Sequence, residues 1–343
     1  VENQEDRDRK CGPNRMGIAM KVTYGMIDGQ LRLRGFLLDQ LIRKSSEEKY
    51  IQSMHTVRRL TRKQKGRKIG GLISSEAWVT RSDGSQLRLC IYKPGHLVKD
   101  VPGVLWLHGG GYAQGMPELF SATYKRLIEA RDCIIVAPDY RLSIEAPYPA
   151  ALEDAYDALL WMKTHAKELG IRDDQLMVGG ESAGGGLVAA LTLYARDQGE
   201  VEIAFQMPLY PMLDDRMMTD SAKGNNAPVW NSRTNGWAWK LYLGERSGKD
   251  VPAYAAPARA EDHSGLPPAV TFVGSLEPFR DETIRYVENL RRAGVHVDFK
   301  IFEGCYHGFD IINPKADVSR RAISFFINAF KYAVDHHFAK QKA

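Results

Sequence analysis

One stretch constrains this chain more than any other. Leu176-Met177-Val178-Gly179-Gly180-Glu181-Ser182-Ala183-Gly184-Gly185-Gly186 runs from an apolar segment through a glycine-rich turn into the helix-length stretch Ala183–Arg196. A strand that turns sharply into a helix needs small residues at the corner, and 180 and 184 are glycines. The serine hydroxyl then sits at the tip of the turn with little steric cover, the Gly-x-Ser-x-Gly pattern of a nucleophile elbow. The helix behind it aims its N-terminus at the same point and favours negative charge there. The Ala183 N–H is the natural first donor to a developing oxyanion.

The surroundings fit that corner. Ile73–Thr80 and Leu87–Tyr92 alternate apolar residues and flank Asp83-Gly84, a hairpin signal that makes them antiparallel. Gly103–Leu107, Cys133–Ala137, Leu176–Gly179, Ile203–Leu209, Ala269–Val273 and Val297–Phe302 are short apolar runs that read as buried strands. Helix-length stretches lie between most of them: Glu118–Ala130, Ala150–Lys167, Ala183–Arg196 and Asp281–Ala293, with Ala322–Val334 as a last amphipathic helix. Alternating strand and helix predicts an α/β fold with a mostly parallel sheet flanked by helices. Residues 69–210 and 267–343 form this core. The interval 211–266 is far too long for a crossover and carries Trp230, Trp237, Trp239 and Tyr242, so it reads as an inserted cap. Residues 26–68 read as N-terminal cap helices. From Leu31 to His55 the apolar residues Leu33, Phe36, Leu37, Leu41 and Ile51 fit one helical face that packs on its own protein. Residues 1–25 have no apolar period and read as a disordered lead, with Met16, Met20 and Met26 as candidate starts.

A second glycine cluster, His108-Gly109-Gly110-Gly111-Tyr112, follows the run Gly103–Leu107. Three glycines let a loop lie flat against a substrate with its N–H groups exposed. Gly110 and Gly111 are the candidates to join Ala183 as oxyanion donors. No Gly-Lys-Ser/Thr follows, which argues against a phosphate loop. His108 sits on the strand end and is expected to make a structural hydrogen bond that shapes the loop. A serine nucleophile needs a base. Among the nine histidines, His307 stands out in Glu303-Gly304-Cys305-Tyr306-His307-Gly308-Phe309, just after the last strand, where two glycines free the loop. His96, His165, His263, His296, His336 and His337 read as surface histidines. The base needs an acid to fix its tautomer. The loop after Ala269–Val273 offers Glu277, Asp281 and Glu282. Glu277 is nearest the strand end, Asp281 is the alternative, and Asp281 and Glu282 also suit a helix start.

Composition excludes several classes. The net charge of +5 is concentrated in Arg58, Arg59, Arg62, Lys63, Lys65, Arg67 and Lys68. No aromatic residue interrupts this run, so it reads as a solvated face rather than a nucleic-acid site. The four cysteines form no CxxC pair and predict neither a metal nor a redox centre. Cys90 and Cys133 fall in apolar runs as buried thiols, and Cys305 is placed to line the site. No apolar run approaches the ~20 residues of a membrane span, and no secretory leader is visible, so a cytoplasmic location with no stable membrane insertion is expected.

These motifs together resemble the hormone-sensitive-lipase-like (bacterial family IV) esterases of the α/β-hydrolase superfamily. The resemblance rests on His-Gly-Gly-Gly at 108–111 and Gly-Glu-Ser-Ala-Gly-Gly at 180–185. It also rests on Asp139-Tyr140-Arg141-Leu142, on Pro147-Tyr148-Pro149-Ala150-Ala151-Leu152-Glu153-Asp154, on Leu266-Pro267-Pro268 and on His307-Gly308-Phe309. It covers about residues 70–330. It implies the α/β-hydrolase fold with an eight-stranded sheet, a helical cap, and serine carboxylesterase activity on short- to medium-chain esters through an acyl-enzyme. No cofactor or metal is implied, the partner is a small-molecule ester, and a homodimer is compatible. Tyr112, Trp230 and Trp237 are the candidate pocket residues. Where the family usually has Asp-Pro-Leu-x-Asp-Glu this chain has Glu277-Pro278-Phe279-Arg280-Asp281-Glu282, which would make the acid a glutamate. Amidase, lactonase or deacetylase chemistry fits the same residues. The family also supplies plant hormone receptors that have lost the histidine, and His307 is present here.

Overall fold

The computed structural model describes residues 20–42, 46–96 and 98–342. Eight strands form one sheet: β1 (Leu72–Thr80), β2 (Gln86–Pro94), β3 (Val101–Leu107), β4 (Ile134–Pro138), β5 (Ile171–Glu181), β6 (Phe205–Leu209), β7 (Ala269–Gly274) and β8 (Val297–Phe302). Their order is β1-β2-β4-β3-β5-β6-β7-β8, and β2 alone runs against the rest. The β1–β2 hairpin turns where Asp83-Gly84 predicts. Asp83 Oδ1 accepts from the Ser85 N–H at 2.9 Å, and Gly84 takes a φ of 83°. Edge strand β1 alternates half-buried with exposed residues, whereas β4, β6 and β7 are buried along their whole length. That difference follows from helices covering both faces of the parallel part. β5 begins earlier than its apolar run, because Ile171 pairs with Val101 while the polar residues between point outward.

The helices are α1 (Arg32–Ile42), α2 (Glu47–Thr61), α3 (Ser121–Ala130), α4 (Ala150–Thr164), α5 (Ala166–Leu169), α6 (Ala183–Gln198), α7 (Ser232–Leu243), α8 (Arg280–Arg292), α9 (Phe309–Ile312) and α10 (Asp317–His336). The stretch 150–167 breaks at His165 into α4 and α5. Helix α2 is capped by Ser46, carries Glu47 and Glu48 in its first turn and Arg58 and Arg59 in its last, matching the helix dipole at both ends. Asn231 caps α7 by accepting from the N–H groups of Arg233 and Thr234. No helix among the described residues is long and apolar enough to cross a membrane.

Four expectations need correction here. Leu33, Phe36 and Leu37 are exposed, and Leu41 lies outside the residues whose side chains are described. The buried face of α1 is instead Gly35 and Asp39, continuing from the buried Leu31 just before the helix, since Gly35 lets the Tyr306 ring lie against the helix backbone. Residues 1–19 lie outside the described residues. The remainder of the expected lead is anchored, with Val22 buried and its N–H donating to Asn226 Oδ1 at 2.7 Å. Arg58 is not on a solvated face. It is buried and binds Asp139 at 3.0 Å, Glu145 at 3.2 Å and the Gly115 carbonyl at 3.3 Å. His263 is buried against Tyr286 rather than at the surface.

Candidate active site

The elbow is built by contact between neighbouring strands. Ser182 takes φ 60° and ψ −121°, a conformation that a non-glycine residue holds only when its surroundings impose it. Its N–H donates to the Leu209 carbonyl at 2.9 Å, and its carbonyl accepts from Gly186 at 2.9 Å and Met212 at 3.0 Å. A Cβ at Gly184 would strike the Leu107 carbonyl, so the first turn of α6 packs on the end of β3 only because that residue is glycine. This contact brings Ser182 beside the glycine loop that follows β3.

The structure brings Ser182, His307 and Glu277 into one chain of hydrogen bonds. The Ser182 hydroxyl lies 2.8 Å from His307 Nε2, and His307 Nδ1 lies 2.5 Å from Glu277 Oε2. The other oxygen, Glu277 Oε1, accepts from the Gly274 N–H at 2.5 Å. All three residues are buried. The imidazole sits edge-on to Tyr210 (ring centroids 5.1 Å) and Phe279 (5.0 Å), which restrict its tilt. Asp281 turns away. One of its oxygens accepts from the Ser221 N–H at 2.8 Å and the other pairs with Arg280 at 2.7 Å. Glu282 accepts from the Leu213 N–H at 2.7 Å, and burial pushes its carboxyl well above the usual range.

Gly110 and Gly111 lie at φ 128° and 60° beside the serine, and their N–H groups donate to no protein acceptor among the described residues. The Gly110 carbonyl accepts from Ala113 and Gln114, and the Gly111 N–H, in the same trans peptide unit, points the opposite way. Ala183 opens α6, where an N–H has no acceptor within the helix. His108 shapes this loop from beneath. Its Nδ1 lies 2.9 Å from the Gly109 carbonyl, and its ring stacks on Tyr140 with centroids 4.1 Å apart. Burial pulls its pKa down to about 4, so the ring is neutral.

A cavity of about 710 Å³ opens over Ser182 and His307. Trp230 lies on its wall, as expected. Tyr112 and Trp237 do not. The left-handed φ of Tyr112 (58°) turns its ring inward onto Tyr242, with centroids 3.8 Å apart, and Trp237 packs on Tyr50 at 5.5 Å without reaching the cavity. Cys305 is also buried away from the cavity, and burial raises its thiol pKa. The wall that the sequence reading missed is α2. Tyr50, Met54 and Val57 fall at i, i+4 and i+7 and face the cavity, a spacing legible as a helical stripe. The N-terminal segment also holds the histidine loop. The Asp28 N–H donates to the Gly304 carbonyl at 2.9 Å, and the Tyr306 hydroxyl donates to the Leu31 carbonyl at 3.2 Å.

Among the described residues one group, Glu76, Cys90 and Glu118, has donor atoms spaced for a metal ion. The Arg88 guanidinium already occupies it, 2.9 Å from Glu76 and 2.7 Å from Glu118, and burial pushes the Cys90 thiol up to about 12. The cluster reads as a buried ion-pair network.

Comparison with known proteins places this geometry. Residues 104–311 match the model of a family described as having the alpha/beta hydrolase fold. Esterase LipI of Mycobacterium tuberculosis is 37% identical over 211 residues, 61% of this chain and 66% of its own length. Carboxylesterase NlhH of the same organism is 33% identical over 225 residues, 64% of this chain and 70% of its own. The chain therefore spans about two thirds of the length of these curated relatives. Among solved structures, a bacterial heroin esterase superposes with a TM-score of 0.81 at 33% identity, covering 91% of this chain and 99% of that one.

Proposed function

The chain belongs to the α/β-hydrolase family, in its hormone-sensitive-lipase-like branch, and from its site we propose that it is a serine carboxylesterase acting on short- to medium-chain esters. The observation that carries this reading is the unbroken relay from Glu277 through His307 to Ser182, at 2.5 and 2.8 Å, beside N–H groups that have no protein acceptor among the described residues. His307 takes the serine proton as Ser182 Oγ attacks the ester carbonyl. Glu277 holds the imidazole with its proton on Nδ1 and stabilises the imidazolium. Gly110, Gly111 and Ala183 donate to the tetrahedral oxyanion, where the loss of one donor typically costs about 100- to 1,000-fold in rate. His307 then protonates the departing alcohol, and the acyl group stays on Ser182. A water activated by the same imidazole releases the acid and restores the serine.

The walls of the cavity support an apolar acyl or alcohol chain, with Tyr50, Met54 and Val57 on one side and Trp230, Ile311 and Ile312 on the other. The test is turnover of a panel of nitrophenyl esters, amides and lactones by the native chain and Ser182→Ala, with labelling by a fluorophosphonate probe. Rapid ester turnover and labelling, both lost in Ser182→Ala, are expected. A Ser182→Ala chain that keeps near-native turnover refutes the assignment, and turnover confined to amides or lactones refutes the substrate class.

A further inference from the structure

Behind the serine and the histidine lie two acidic side chains that the mechanism does not use. Glu181 precedes the nucleophile, and Asp310 follows His307 by three residues. Both are buried, at 2% and 7% exposure. Glu181 Oε2 accepts from the Trp106 indole N–H at 2.7 Å, while Oε1 is buried with no hydrogen-bond partner among the described residues. Asp310 Oδ2 faces the Tyr210 hydroxyl at 3.5 Å, while Oδ1 is likewise buried with no partner. Both residues line one small cavity of about 10 Å³, together with Trp106, Arg126, Tyr210 and Phe326. That volume admits roughly one water, and the two orphan oxygens with the Tyr210 hydroxyl supply about the three polar partners such a water takes.

We infer that Glu181 and Asp310 form a proton-holding carboxyl pair, bridged by one water in this cavity, that positions the serine elbow, the oxyanion loop and the histidine loop relative to one another. The inference rests on the esterase reading of the site. Neither carboxyl forms an ion pair among the described residues, and two adjacent buried carboxylates cannot both stay ionised at neutral pH. A protonated carboxyl supplies the donor that the orphan oxygens need. The groups facing the pair are Arg126 and Tyr124 from α3, Tyr140 after β4, Tyr210 after β6 and Glu277 after β7. Arg126 is the sole cation among them. Burial pushes Glu181 well above the usual range, opposed by the Trp106 indole and by the backbone N–H groups of Glu181 and Gly109 and raised further by Asp310; burial carries Asp310 up to about 6, against the pull of its own backbone N–H and the Tyr210 hydroxyl. The three segments meet at this point. Trp106 leads into the oxyanion loop, Glu181 into the elbow, and Asp310 lies just beyond the histidine loop. Tyr210 touches the pair on one side and the edge of the His307 ring on the other. Loss of the proton from Glu181 would put a negative charge beside the loop that must hold an oxyanion, and would slow turnover.

The experiment is infrared spectroscopy of the whole chain across the pH range, paired with kcat for a short-chain nitrophenyl ester, on the native chain, Glu181→Gln and Asp310→Asn. The native chain should show the carbonyl band of protonated carboxyls at neutral pH; because buried Glu282 also holds its proton, Glu282→Gln is measured alongside, and Glu181→Gln should lose the component of the band that Glu282→Gln keeps. In Asp310→Asn, with its neighbouring charge removed, that component should disappear at a lower pH than in the native chain, and the alkaline fall of kcat should move with it. The inference is overturned if the native chain has no such band, if Glu181→Gln keeps the whole of it, or if the midpoints of the Glu181 component and of kcat move apart. Should Glu181→Gln fail to fold, Asp310→Asn decides by the shared shift alone. The band is read on resting protein, so its absence refutes the pair while the Ser182 assay stands or falls separately.

Discussion

Replacing Glu277 with glutamine removes one charge and almost no volume, and the structure says what that does. Both carboxylate oxygens are committed, Oε1 to the Gly274 N–H and Oε2 to His307 Nδ1. Glutamine offers one acceptor in their place. If its carbonyl faces His307, its NH₂ meets the Gly274 N–H, and two buried donors collide at a cost of roughly 1–3 kcal/mol. The reverse orientation is favoured: the carbonyl serves Gly274 and the NH₂ donates to Nδ1. That moves the ring proton to Nε2, which then points at the Ser182 hydroxyl and can no longer accept its proton. The loss in such a tautomer error is on the order of 10⁴-fold in kcat, about 5.5 kcal/mol, with KM little changed. Asp281→Asn is the control, because Asp281 serves Ser221 and Arg280, and kcat should stay within about fivefold of native, as befits losing a partly exposed pair. Steady-state turnover of a short-chain nitrophenyl ester, with circular dichroism to verify folding, measures both. The reasoning fails if a folded Glu277→Gln chain keeps a tenth or so of native kcat, or if Asp281→Asn loses as much.

Two more expectations concern the frame around the site. Arg58→Met removes a buried guanidinium from Asp139, Glu145 and the Gly115 carbonyl; since Asp139 keeps Arg88, the lower end of the usual range applies, about 3 kcal/mol, or a Tm drop on the order of 5–10 °C in a thermal melt. A melt within about 2 °C of native would show that the network contributes little. His108 is neutral in the fold, with its pKa pulled down to about 4 from the ~6.5 of the unfolded chain. Between those values the unfolded chain binds more protons, so His108 contributes stability above the unfolded value that is lost as pH falls toward 4. His108→Gln should therefore lose less of its own Tm than the native chain between neutral pH and pH ~4.5, and parallel losses would contradict this.

What could be read from the sequence was whatever chemistry is local. The sheet was legible because each strand is a short apolar run ended by a turn, and the α/β order follows from their alternation with helices. Ser182 and His307 were singled out by the glycines beside them, which serve the backbone geometry of their own loops. The acid loop was legible too, but the choice within it depends on where each side chain points. Asp281 is claimed by Ser221 and Glu282 by Leu213, both 60 or more positions away along the chain, and no local pattern encodes such partners.

The same limit explains the pocket and the cap. Tyr112 follows the glycine loop in sequence, yet a left-handed backbone sends its ring away from the cavity into a stack with Tyr242, a residue of the 211–266 interval. Arg58 sits in a run of seven cations where nothing marks it as different; only the fold brings Asp139 and Glu145 to it. These long-range contacts are not ornaments on a finished core. Arg58 holds the Gly115 carbonyl at the end of the oxyanion loop, and Asp28 holds the Gly304 carbonyl at the start of the histidine loop. Two of the segments that carry the chemistry are thus fixed in part by residues before β1, the part of the chain whose own pattern says least about catalysis. An N-terminal truncation at β1 would remove one wall of the cavity along with both of these clamps, so it should impair kcat as well as KM, whereas a detachable cover would alter KM alone.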